Sequence, residues 1–357
     1  MSRPNIAKRS RWRNFWFHSV ARMVDRRRIL PLLLCAFAGL AACSKQPAPR
    51  GAGASRPDGL RKVRLQTDWF PQAEHGGFYQ ALAKGFYREA GLDVELLPGG
   101  PGANIKPKVV SGDAEFGMNP STDVIVAANR GLPVLIVGAV LQHDLQALLL
   151  HADNPINSFK QLDGQTIIAS PTLVWIQLVQ KKYGIRFNLQ PMPYGLANFF
   201  ANPAAIQQCA VTNEPYLAQQ HGVRVKTLPI ADSGYDAYHV IFGRADFARA
   251  NPEVTRAFVA ASVRGWRDYI EGDPAPAHRL ILARNAQMTP EFLAYSRSEL
   301  ILRNLVTGDR AKGEGIGRLS LARLGEAIDL LLELKVIDTP MPVRAVATKD
   351  FLPREMQ

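Results

Sequence analysis

The chain has 357 residues, 47% of them hydrophobic and 21% charged, with 43 Lys and Arg against 31 Asp and Glu, a formal charge of +12. That length supports two domains with full cores, and the composition excludes a disordered, collagen-like or disulfide-rich chain. The charge is unevenly spread: residues 1–43 hold nine of the basic residues and one acidic residue, so the remainder carries 34 against 30, a net of +4, and no Lys/Arg run interleaved with aromatics marks a nucleic-acid surface.

Residues 1–43 read as an export signal. Arg26-Arg27-Arg28 is a basic region, Ile29 to Ala42 an apolar run of 14 residues, and Leu40-Ala41-Ala42-Cys43 a small-residue cleavage box ending in cysteine. The run is too short to span a bilayer, and the order of the three parts is that of a lipoprotein signal peptide with Cys43 as the lipidated residue. Arg26-Arg27 ahead of Ile29-Leu30 also suits a twin-arginine signal. The stretch before Met23 is long for a signal, so Met23 is the expected start. Residues 44–60, rich in Pro, Gly, Ala and Ser, read as a flexible tether. Cys35 and Cys43 fall in the signal, which leaves Cys209 alone in the body, beside Ile206 and Val211. No disulfide is then available within the body, and Cys209 is expected as a small buried residue rather than a nucleophile.

From Leu60 onward, apolar alternation and helical periodicity take turns. Strands are expected at Val63–Thr67, Asp93–Leu97, Ala114–Met118, Val134–Leu141 and Ala147–His151, with helices at Phe78–Ala90, Ile105–Ser111 and Thr122–Arg130 between them. A second unit starts near Asn157. It holds strands at Thr166–Ala169, Arg186–Met192, Cys209–Thr212 and Val223–Leu228, and helices at Pro171–Tyr183, Ala204–Gln208 and Tyr216–His221. Near Tyr238 to Phe242 the chain returns to the first unit, and four helices follow: Val254–Glu271, Ala275–Asn285, Pro290–Asn304 and Leu319–Leu334. The expected fold is α/β with mixed, mostly parallel sheets. One lobe is split (residues 61–148 and 243–357), the other (149–242) is inserted in it, and two crossing segments form a hinge.

Chemistry-bearing residues concentrate in Asp68-Trp69-Phe70-Pro71-Gln72-Ala73-Glu74-His75-Gly76-Gly77, where a strand hands over to a helix. Ligands bind at such crossings because strand carboxyl ends and helix amino ends converge there. Trp69 can stack on a flat ring or pack in the core. Glu74 and His75 can bond a heteroaromatic nitrogen or amino group, or His75 can cap the helix. Gly76 and Gly77 would let backbone approach a ligand. Asn119 and Ser121 follow another strand, and Ser121 is also a natural N-cap. Glu214 starts a helix, either as a cap or as an acceptor for an exocyclic amine, with Tyr216 two residues on. Trp175 faces either the cleft or the core. The histidines show no metal-ligand spacing, and no metal or cofactor is expected.

Together these stretches resemble a known group. Asp68-Trp69-x-Pro71 with His75-Gly76-Gly77, Ala83-Lys84-Gly85-Phe86-Tyr87, Gly91-Leu92-Asp93-Val94, Gly112-Asp113-Ala114-Glu115-Phe116-Gly117, Leu162-Asp163-Gly164-Gln165, Asn213-Glu214-Pro215-Tyr216 and Asn251-Pro252-Glu253-Val254 are similar to the periplasmic substrate-binding proteins of ABC importers for nitrate, sulfonates, taurine and thiamine pyrimidine precursors, a group that includes the fungal thiamine-pyrimidine synthases. The resemblance spans nearly all of residues 61–355. It implies a two-lobe, venus-flytrap binding protein of type II that takes a small solute and acts with an ABC permease and its ATPase. With the export signal, the expectation is a lipid-anchored protein of the periplasm or cell envelope that can work as a monomer, and not an enzyme. The Asp-Trp and His-Gly form is closer to the pyrimidine-precursor members, so a flat nitrogen heterocycle is the expected ligand and a small sulfonate the second choice. The family's Gly/Ser-rich anion turn corresponds to Ser170-Pro171-Thr172-Leu173, which lacks glycine and has a proline without N–H, although Thr172 stays a candidate contact. A synthase would need a lysine for pyridoxal phosphate where this chain has Asn119, and a cysteine-rich run near Tyr235–Gly243, where it has none.

Overall fold

The computed structural model describes residues 59–357; the expected export signal, Cys43 and most of the expected tether lie outside the described residues. Two five-stranded sheets organise that body. The first contains β1 (Arg61–Gln66), β2 (Leu92–Leu97), β3 (Phe116–Pro120) and β4 (Val134–Leu141); the second contains β5 (Gln146–His151), β6 (Thr166–Ile168), β7 (Asn188–Gln190), β8 (Ile206–Ala210) and β9 (Val225–Pro229). The last strand, β10 (His239–Arg244), returns to the first sheet.

The orders are β2-β1-β3-β10-β4 and β7-β6-β8-β5-β9. In each sheet four strands run one way, and the strand in fourth place is the one that has just crossed from the other sheet and runs against its neighbours. The expected mostly parallel arrangement holds. The lobe boundaries shift, however. A cut at 148/149 divides β5 and one at 242/243 divides β10, whereas backbone pairing assigns each strand whole to the sheet it enters. The links between sheets are therefore residues 142–145 and 230–238.

Local chemistry explains most elements. In β1, Val63 and Leu65 are fully buried, Lys62 before them is exposed and Arg64 between them is partly so, an alternation of buried and open positions. β4 is buried along all eight residues although it ends the first sheet, because the C-terminal segment covers it: Ile136 N–H donates to Val346 O at 2.7 Å and Thr348 N–H to Ile136 O at 3.1 Å. The helix expected over Phe78–Ala90 is two, Gly76–Ala83 and Phe86–Glu89, because Gly85 between them takes φ +77°. The helix expected at Ala204–Gln208 is instead the start of β8, and the helical turn lies earlier, at Ala197–Ala201. Both faces of β8 are covered, with Ile206 on one and Gln207 and Cys209 on the other, which suits a strand inside the sheet rather than a surface helix.

The later helices run Pro252–Glu271, Ala275–Leu282, Pro290–Leu302 and Leu321–Glu333. Gly76–Ala83 packs so closely on Pro252–Glu271 that a Cβ on Gly76 would lie 2.2 Å from the Tyr269 ring, and one on Gly77 would lie 2.2 Å from Trp266. The glycine pair serves helix-on-helix approach. Gly76 N–H is already bonded to Ala73 O, so Gly76 is corrected from a ligand contact to a packing residue.

Candidate functional site

The carboxyl ends of β1 and β3 and the amino end of β10 meet at one rim of the first sheet. Asp68 follows β1 there, and its Oδ1 lies 2.8 Å from His75 Nε2. His239 opens β10 opposite Pro120, with Nε2 3.6 Å from Asp68 Oδ2. Burial pushes the Asp68 carboxyl up, but the His75 hydrogen bond and the charges of His75 and His239 pull it further down, so it lies below its ordinary value. Burial lowers His239, with Asp68 and Asp123 opposing. The second ring nitrogens of both histidines, and Asn119 Oδ1, are buried without partners. Polar atoms left so are costly unless something else satisfies them. Asn119 Nδ2 reaches Asp123 at 3.4 Å, and Thr122 Oγ1 meets Tyr235 OH at 2.7 Å.

The second sheet presents a hydrogen-bonded row. Ser170 N–H donates to Gln208 Oε1 at 3.1 Å, Gln208 Nε2 to Gln146 Oε1 at 2.9 Å, and Gln146 N–H to Asp144 Oδ1 at 2.8 Å. The lobes also touch directly. Thr212 Oγ1 donates to Glu74 Oε1, and Ser296 Oγ donates to Thr212 O at 2.7 Å. Burial raises Glu74, and burial also pushes Glu214 up to about 7, aided by the charge of Glu74. Glu74 Oε2 and Asn213 Oδ1 are buried and unpartnered. Across the same gap, Trp69 of the first lobe and Tyr194 of the second face each other with ring centroids 5.6 Å apart and planes at 39°. Tyr194 is 57% exposed and holds φ +52°, a left-handed backbone that costs a non-glycine residue about 1 kcal/mol or more.

The expected residues divide. Trp69, Glu74, His75 and Asn119 stand on the first-lobe rim, and Glu214 and Thr172 on the second-lobe side. Ser121 is not the cap of its helix; Pro120 is, and Ser121 N–H is bonded to Tyr238 O at 2.7 Å. His75 precedes Gly76–Ala83 without a side-chain cap bond, because its Nε2 is turned to Asp68. Trp175 is fully buried in the second lobe and stacks with Phe187, so it is corrected to a core residue: the helix begins only at Val174 and turns the indole inward. Tyr216 stacks on Phe292 at 4.5 Å and lies tilted against Tyr295 at 5.3 Å, which commits its ring to the lobe contact. Sequence reasoning missed Asp68 as partner of His75, as well as His239, Tyr194 and Thr212. Only Asp68, inside the dense crossing stretch, had a local signal.

The NMT1/THI5 like family matches residues 72–277, more than half of the chain. The chain belongs to that family. Its relatives divide between binding proteins and enzymes. It is 26% identical to a formylaminopyrimidine-binding protein of Halalkalibacterium halodurans over 268 residues, 71% of this chain and 78% of that one. It is 25% identical to the riboflavin-binding protein RibY of Chloroflexus aurantiacus, covering 91% and 98%. It is 24% identical to a 4-amino-5-hydroxymethyl-2-methylpyrimidine phosphate synthase of Saccharomyces cerevisiae, covering 60% and 69%. Among solved structures, the alkanesulfonate-binding protein SsuA from Xanthomonas axonopodis pv. citri superposes with a TM-score of 0.58 at 12% identity, covering 80% and 98% of the two chains. The nitrate-binding protein NrtA from Synechocystis PCC 6803 gives 0.56 at 15%, covering 82% and 87%. These likenesses establish the periplasmic binding protein fold for this family member.

Proposed function

We propose that this family member is the solute-binding component of an ABC importer, and that it holds a flat nitrogen heterocycle between its lobes. The observation that carries this reading is the Trp69–Tyr194 pair, one ring from each lobe, beside a buried set of carboxyls and imidazoles. Two aromatic faces sandwich a ring best at a separation of roughly 7 Å, so a slight parting of the lobes seats a planar ligand between them. On the same first-lobe rim, the unpartnered nitrogens of His75 and His239 and the oxygens of Asn119 and Glu74 offer donors and acceptors for a heterocycle's edge. Raised Glu74 and Glu214 favour a neutral, amine-bearing edge over an anion.

A sulfonate is the poorer fit. Asp68, Glu74 and Asp123 line the first-lobe side, and the nearby Lys106 is occupied at 3.7 Å by Asp123. The turn at Ser170–Leu173 has no glycine nest. The synthase reading also fits poorly: the residue at the position of the imine-forming lysine is Asn119, whose amide cannot form a Schiff base with pyridoxal phosphate. The names of the binding relatives support two ring systems, a formylaminopyrimidine and a riboflavin. In this reading Cys43 carries a lipid anchor in the envelope, the protein works as a monomer, and the closed lobes dock on a permease served by an ATPase.

Native mass spectrometry of residues 44–357, followed by denaturation, tests the proposal. Release of a pyrimidine or flavin supports it. A covalent pyridoxal adduct that survives borohydride reduction and denaturation overturns it in favour of an enzyme. An empty protein goes to a thermal-shift screen of 4-amino-5-hydroxymethyl-2-methylpyrimidine, riboflavin and an alkanesulfonate, where stabilisation by the sulfonate alone overturns the ligand class.

A further inference from the structure

The two links between the sheets are fastened to each other by four charged side chains. His143 sits on link 142–145 and Asp236 on link 230–238, with His143 Nδ1 2.7 Å from Asp236 Oδ2. The other ring nitrogen, Nε2, lies 3.1 Å from Glu314 Oε2. Arg323 closes the ring, reaching Asp236 Oδ2 at 3.0 Å, Asp236 O at 2.7 Å and Glu314 Oε1 at 3.1 Å, while its guanidinium lies 4.0 Å from the centre of the Tyr238 ring. Asp236 Oδ1 also accepts Asp144 N–H at 2.8 Å, which ties the first link a second time. Glu314 and Arg323 belong to the part of the chain that follows β10, so the cluster joins both links to one lobe.

We propose that His143 is a proton-operated clamp on these links, which sets how freely the cleft opens. An imidazole can donate through both nitrogens only when protonated. Protonated His143 satisfies Asp236 and Glu314 together, and two cations then face two carboxylates. Neutral His143 has one N–H and turns a lone pair toward one carboxylate, leaving the cluster a charge short. The hydrogen bond to Asp236, then the charges of Asp236 and Glu314, raise the imidazole above its ordinary value, with burial and Arg323 opposing. The clamp is therefore complete below about 6.5 and is lost as pH rises through the raised value. The other ionisable groups here are Asp144, which burial pushes up to about 7, Asp123 and Tyr235 beside it, and Lys312 and Glu326, which line the same cavity of about 310 Å³. The proposal rests on reading the gap between the lobes as a binding cleft, but its test needs no ligand.

Dyes for energy transfer on Arg130→Cys and Gln219→Cys of residues 44–357, one on each lobe, report lobe separation in the ligand-free protein; Cys35 and Cys43 are then absent and the buried Cys209 stays unlabelled. The expected result is a narrow distance distribution at pH 5.5 that widens by pH 8.5, with a midpoint above 6.5. His143→Gln abolishes the response, and Asp144→Asn retains it. An unchanged distribution in the parent protein overturns the proposal, as does a response that survives His143→Gln or disappears with Asp144→Asn. Failure of every heterocycle to bind while the pH response persists defeats the ligand assignment and leaves the clamp standing.

Discussion

β1 and β6 hold the same place in their sheets, and each hands over to a helix, yet the two handovers differ. After β1, residues 71–81 are buried without a break, and Asp68 and His75 are fixed on one another at 2.8 Å. After β6, Pro171 and Thr172 are exposed, and the local tie is Ser170 Oγ to Thr172 Oγ1 at 3.2 Å. One wall of the proposed cleft is buried and tied together, and the other is exposed. Preorganised groups lose little freedom on binding, so the first lobe should carry most of the affinity and the second should finish the fit.

Substitutions can break or sharpen that contrast. The largest effect falls on the scaffold beneath the prepared wall. Gly77→Ala drives a methyl into Trp266 and should cost about 3 kcal/mol or more in denaturant unfolding, whereas Gly164→Ala, beside open space at φ +72°, should cost about 1. Next come the aromatics. Trp69→Ala should weaken a bound heterocycle roughly 30-fold by calorimetry and Tyr194→Ala roughly 10-fold, with a double-mutant cycle showing coupling of about 1 kcal/mol. An uncoupled pair would mean that the rings do not share a ligand.

A smaller effect is read in the pH dependence of unfolding. Glu214 sits near 7 in the folded protein against an ordinary 4.5, so the native state holds the extra proton and stability falls as pH rises between those values. Glu214→Gln should flatten that slope, worth on the order of 1 kcal/mol because the residue is only partly covered. Thr172→Ala on the exposed turn should change affinity about threefold or less. A loss as large as that of Trp69→Ala would reverse the assignment of the two walls.

The legible part of this molecule was the part written in neighbouring residues. Strand alternation, the Gly85 break and the crowded crossing at Asp68–Gly77 are local patterns. They place β1 to β4 within a few residues and put His75 and Trp69 on the rim. Gly76 was misread because a glycine that admits a ligand and one that admits Tyr269 look alike until the opposing helix is known. For Trp175 the sequence leaves cleft and core both open, because periodicity marks an apolar face without saying which way its first turn points. Tyr194 and Thr212 belong to the other lobe from their partners Trp69 and Glu74, and no spacing in the chain records such a meeting.

The exchange of strands between the sheets constrains how the protein is made. β10 lies between β3 and β4, so β4 cannot join its sheet until a stretch of roughly a hundred further residues has been synthesised and has come back. Through that interval Val134–Leu141 is an apolar strand with no neighbour on either side, the kind of segment that sticks to other chains. The first lobe is thus the earlier to begin and cannot be the earlier to finish. A nascent chain stopped before β10 should depend on a holding chaperone more than one carried past Thr348, whose backbone covers the other edge of β4.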